Sequence, residues 1–77
     1  MRDIDELMKE MDSKIKNLQS KIGKSGGRNT KNNLCALLGS AMIIAADKTL
    51  SDDKRLAING RISLAKETIN VWLRVNP

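Results

Sequence analysis

The stretch Leu34–Ala46, LCALLGSAMIIAA, decides how the rest of the chain must be arranged. Wound as a helix it is apolar on every side: Leu34, Leu37, Leu38, Ala41 and Ala45 form one face, and Ala36, Gly39 and Ile43 form the opposite one. Thirteen residues interrupted by Gly39 and Ser40 fall short of the roughly 20 apolar residues that a bilayer requires. The expectation is therefore a buried central helix, with the other segments serving to cover it.

Those segments are also helical in pattern. Upstream, Asp3-Ile4-Asp5-Glu6 reads as a capping-box opening with Asp3 as N-cap. Ile4, Met8, Met11, Ile15, Leu18 and Ile22 then recur at alternating steps of four and three, the seam of a coiled coil or of a tight helix pair, and Leu7 widens it. The seam has two possible occupants, a second chain or the protein's own central helix. Gly23, with Lys21 and Lys24 at the negative pole, predicts the C-terminal end of this helix. A glycine-containing basic loop, 24–29, follows, and Asn29 or Thr30 is expected to cap the central helix.

Downstream, Asp47-Lys48-Thr49-Leu50 reads as a short turn and Ser51 as the cap of a third helix, with Asp52 and Asp53 in its first turn and Arg74 in its last. Its main apolar face is Ile58, Ile62, Ala65, Ile69, Trp72 and Leu73; a second stripe is Ala57, Leu64, Val71 and Val75. Two signals compete with that helix. Asn59-Gly60 is a type I′ hairpin dipeptide, and Ile58, Ile62, Leu64, Ile69 and Trp72 fit the apolar positions of a degenerate helix-turn-helix, although Asn59 and Ser63 replace the small residue and the turn glycine of that motif. The flanks SDDKRL and LAKETINVWL favour a continuous helix.

The predicted architecture is all-α: three helices, about 3–23, 30–48 and 51–75, in one domain spanning 1–77, sequential helices antiparallel, the middle one sandwiched and a homodimer completing its cover. Ile4, Met8, Met11, Ile15, Leu18, Ile22, Leu64, Val71, Trp72 and Val75 are the expected dimer or partner interface.

Composition excludes much chemistry. With no His, no Tyr and one Cys, the chain offers no zinc site, no Ser/His or Cys/His dyad and no neutral-pH proton shuttle, so neither catalysis, a metal nor a cofactor is expected. Cys35 is read as a buried packing residue in a reducing cytoplasm. The charged N-terminal segment MRDIDELMKE resembles neither a signal peptide nor a membrane anchor, which points to a soluble intracellular protein.

Charge supplies the functional expectation. From Ser13 to Ala46 there is no acidic residue, yet Lys14, Lys16, Lys21, Lys24, Arg28 and Lys31 lie there among Asn17, Gln19, Asn29, Asn32 and Asn33. Cations that displace condensed counterions, together with amide donors, suit a phosphate backbone, and Trp72 is the one residue able to stack on a base. Gly23-Lys24-Ser25 imitates the end of a phosphate-binding loop, but Leu18 stands where its first glycine belongs and a helix precedes it. The expected function is a small non-enzymatic regulator binding DNA or RNA. The alternative is a protein-binding module, an inhibitor, adaptor or export chaperone, that offers its apolar stripes to a partner helix.

Overall fold

The computed structural model describes residues 3–75, which form three α-helices packed against one another: α1 (Ile4–Ser20), α2 (Arg28–Ala45) and α3 (Asp52–Val75). The order is up, down, up, so α1 and α3 run parallel. Two ion pairs set their register. Lys54 meets Asp5, and Arg61 donates from Nε and a terminal nitrogen to the two carboxylate oxygens of Asp12 at 3.2 Å each. Each pair is separated by 49 residues, and the two lie seven residues apart on both helices, or two turns. Such half-exposed pairs add at most about 1 kcal/mol each; they align the helices more than they stabilise them.

Local chemistry accounts for the helix ends. The Asp3 carboxylate accepts from the Asp5 amide at 3.2 Å and caps α1 as its sequence predicts. The helix ends at Ser20 rather than at Gly23: Lys21 and Ile22 donate to carbonyls three residues back, and Gly23 takes φ +78° to turn the chain away. The next helix starts at Arg28, earlier than expected, so Asn29 and Thr30 lie inside it, and its N-cap is Gly27, which has no side chain to cap with. It also ends before Lys48. Asp47 Oδ1 accepts from the Thr49 amide at 2.9 Å and from its hydroxyl at 2.8 Å, an Asx-turn that competes with further helix. These two hydrogen bonds hold the exposed Asp47 carboxyl below the usual carboxylate range. At α3, Ser51 Oγ accepts from the Lys54 amide at 3.3 Å, the predicted cap.

No break occurs at Asn59-Gly60, which excludes the hairpin and the helix-turn-helix alike. Ile58 and Ile62 are buried one turn apart on the same face, and a turn between them would pull one of the two out of the core. An added Cβ at Gly60 would meet nothing within 4 Å. Gly60→Ala is accordingly expected to stabilise the protein by about 1 kcal/mol, visible as a rise of roughly 4–8 °C in Tm.

The core consists of Leu7, Met8, Met11, Ile15 and Leu18 from α1, Leu34, Leu37 and Ala41 from α2, and Ile58, Ile62, Ala65, Ile69 and Trp72 from α3. This corrects two expectations. Met8, Met11, Ile15, Leu18 and Trp72 are buried inside their own chain and present nothing to a second one; Ile4, Ile22 and Val71 are half-buried, and only Leu64 and Val75 of the proposed interface are exposed. The seam's occupant is the chain itself.

The central helix is not sandwiched. In a triangular bundle each helix has its neighbours on one side, so α2 buries Leu34, Leu37 and Ala41, half-buries Leu38, Ile44 and Ala45, and leaves Met42 48% and Ile43 76% exposed. Cys35 lies on this outer side and is exposed, contrary to the reading of a buried packing residue. In dilute protein its thiol is expected to react with a disulfide reagent at the rate of an unfolded control. Protection of more than about tenfold under those conditions would contradict the exposed position.

Candidate nucleic-acid interface

The α1–α2 connection, the first turn of α2 and the last turns of α3 meet at one end of a bundle 41 Å long. Because α3 lies parallel to α1, the cations of its C-terminal half join those of the acid-free segment. Among the described residues, this half carries Lys14, Lys16, Lys21, Lys24, Arg28, Lys31, Lys66 and Arg74 against a single acid, Glu67. The other half holds eight acids, Asp3 to Asp12 on α1 and Asp47 to Asp53 before and within α3, against Lys9, Lys48, Lys54, Arg55 and Arg61. Three of these five cations are engaged locally: Lys54 with Asp5, Arg55 with Asp52 and Arg61 with Asp12. The molecule is thus polarised along its length, with a surplus of seven positive charges at the loop pole.

Each predicted phosphate-contacting residue lies in this half. Lys16, Lys21, Lys24 and Arg28 are exposed, while Lys14 and Lys31 are half-buried. The half-burial of Lys31 has a cause: its Nζ lies 5.8 Å from the centroid of the Trp72 ring, a cation–π contact that holds the ammonium at the pole. Asn17, Gln19, Asn29, Asn32 and Asn33 are all exposed around these cations.

The loop owes its path to two glycines. Gly26 and Gly27 take φ +88° and +90°, in the left-handed region that other residues avoid. Gly27 also packs tightly: an added Cβ would sit 2.9 Å from Trp72 Nε1 and 3.0 Å from Lys21 Cβ. The loop thereby roofs Trp72, and a shallow pocket of about 370 Å³ opens beside it between Gly23–Gly26, Arg28, Trp72 and Val75. Arg28 stands at the start of α2, where the first amides are not capped by a side chain.

Two parts of the sequence reading change here. Trp72 is only 5% exposed and its Nε1 is buried without a hydrogen-bond partner among the described residues, so it cannot stack on a base. Lys66 and Arg74, which lie outside the acid-free segment, belong to the basic pole; only the parallel packing of α1 and α3 brings them there. Among the described residues there is no His/Cys/Asp/Glu cluster able to hold a metal ion, and no helix is long and apolar enough to cross a membrane. No family model matches the chain, and neither a curated protein nor a solved structure matches it.

Proposed function

We propose that this chain is a small non-enzymatic, cytoplasmic regulator that binds nucleic acid through its loop pole, contacting the phosphate backbone. The observation that carries this reading is the segregation of charge: eight cations and one acid occupy one half of the described chain, and most of its acids the other. A mixed surface would serve solubility equally well. A pole with a surplus of seven charges instead focuses potential and steers polyanions. Exposed amides supply further donors to phosphate and sugar, while the burial of Trp72 leaves no aromatic platform. The contacts proposed are therefore to the backbone, with weak dependence on base sequence. Self-association would double their number.

The test is a salt titration of binding to a labelled duplex and to a single strand of the same length. If Lys21, Lys24, Arg28 and Lys31 each contact one phosphate, log affinity for the duplex falls linearly with log salt at a slope of about −3.6, or roughly −0.9 per contact. A slope near zero, or binding no tighter than that of an unrelated protein of equal net charge, refutes the reading. The second reading, a protein-binding module, is favoured by one observation, the exposure of Met42, Ile43, Leu64 and Val75. Docking of a partner on apolar side chains would be nearly independent of salt.

A further inference from the structure

The outer side of α2 is anomalous for a chain in which 30% of residues are charged. Between Lys31 and Asp47 no residue carries charge, and the exposed positions Cys35, Ala36, Gly39, Met42, Ile43 and Ala46 recur at helical spacing on that side. We infer that this face is the interface of a homodimer in which two copies of α2 pack antiparallel about a twofold axis at Gly39.

Two properties of the face select a second copy as its occupant. The first is self-complementarity. Around a twofold at Gly39, residues whose numbers sum to 78 lie opposite each other, so Met42 and Ile43 of one copy fall on Ala36 and Cys35 of the other. The bulky residues of each copy meet the small ones of its mate. Beside Ala36 the structure has a groove of about 410 Å³ between α1 and α2, lined also by Glu10 and Lys14 of α1 and by Asn33, Leu37 and Ser40, whose Leu37 floor would receive the end of the partner's Met42. At the axis Gly39 has no Cβ, and one built there would meet nothing within 4 Å, which leaves the backbones free to approach closely.

The second property is charge. Antiparallel pairing lays the basic half of each copy along the acidic half of the other, with Arg28 and Lys31 beside the partner's Asp47. Parallel pairing would superpose two poles that each carry a surplus of seven positive charges. The contact is small: a helix of 18 residues is about 27 Å long and roughly 10 Å wide, so the two faces together bury less than the roughly 1,200 Å² at the low end of stable interfaces, and the dimer is accordingly weak and concentration-dependent. Its geometry also separates the two copies of Arg28 by about 33 Å along the helix axis, close to the roughly 34 Å of one duplex turn; this last consequence alone rests on the nucleic-acid reading.

Sedimentation equilibrium without nucleic acid, from about 1 to 300 µM in reductant, tests the dimer independently of that reading. The expected result is a mass rising from 8.5 kDa to twice that value. Ile43→Glu, at a position 76% exposed, and Gly39→Glu, on the axis, are each expected to weaken association by at least tenfold while leaving the circular dichroism spectrum unchanged. Oxidation adds the orientation: Ile43→Cys should form a disulfide with the partner's Cys35, and Ile43→Cys combined with Cys35→Ser should not. A monomer throughout the range would overturn the proposal and leave the face to a different protein. So would a dimer indifferent to both glutamates, which would use another surface, or cross-linking of the double variant, which would mean parallel helices.

Discussion

Replacing Lys24 and Arg28 with Glu is expected to abolish duplex binding at physiological salt while leaving the helices and their packing intact. The substitutions change the surplus at the loop pole from seven positive charges to three. Two lost phosphate contacts, at about −0.9 in slope each, amount to roughly 30-fold at 0.15 M relative to 1 M salt, and repulsion by the new carboxylates takes the total beyond about 10²-fold. Lys24 and Arg28 are exposed, and a carboxylate at position 28 would stand at the start of α2, where the helix dipole favours an anion. The matched control is Lys9 and Lys48 to Glu, the same charge change in the acidic half, where a loss of less than about tenfold is expected. Lys66 is unsuitable as a control because packing places it in the basic half. Equal losses from the two double variants would mean that net charge rather than the pole governs binding. An unimpaired Lys24/Arg28 variant would remove the nucleic-acid reading altogether and promote the protein-binding one.

Trp72→Ala is expected to remove a large share of the protein's stability. Removing a buried tryptophan typically costs 3–5 kcal/mol, and a domain of 77 residues has a total stability of only about 4–11 kcal/mol. Trp72 also supports the loop, since Gly27 packs against it and Lys31 lies over its ring. The informative companion is Trp72→Phe. Nε1 is buried without a hydrogen-bond partner among the described residues, a situation that ordinarily costs about 1–3 kcal/mol, so a phenyl ring removes that burden along with some apolar contact. Its loss of stability in urea denaturation should be well under half that of the alanine variant. Comparable losses for the two would show that the indole N–H does have a partner in the folded protein.

Number and type of elements were legible in the sequence because they depend on neighbours along the chain. The apolar period of four and three over Ile4 to Leu18, the carboxylate of Asp3 and the hydroxyl of Ser51 act within a turn or two, and the helices they predict are the helices found. The apolar face Ile58, Ile62, Ala65, Ile69, Trp72 and Leu73 was likewise readable, and it is buried except at Leu73, which is 51% exposed. The acid-free run was legible as a list of cations. Its meaning as a pole was not, because Lys66 and Arg74 join it only through the parallel packing of α1 on α3.

Burial of α2 was misjudged for a related reason. Leu34–Ala46 is apolar all round, but two neighbours lying on one side of a helix cannot cover its far side, so Cys35, Met42 and Ile43 remain outside however hydrophobic the segment is. Loop geometry was equally invisible to local rules. Asn29 is a better cap than glycine by propensity and Thr30 an equal one, yet Gly27 caps α2 because only a residue without Cβ can pass so close to Trp72. Side-chain period and capping chemistry are properties of a segment and can be read from it. Which face meets water, and which glycine lets one segment lie on another, depends on residues distant in the chain, and only their packing in three dimensions decides it.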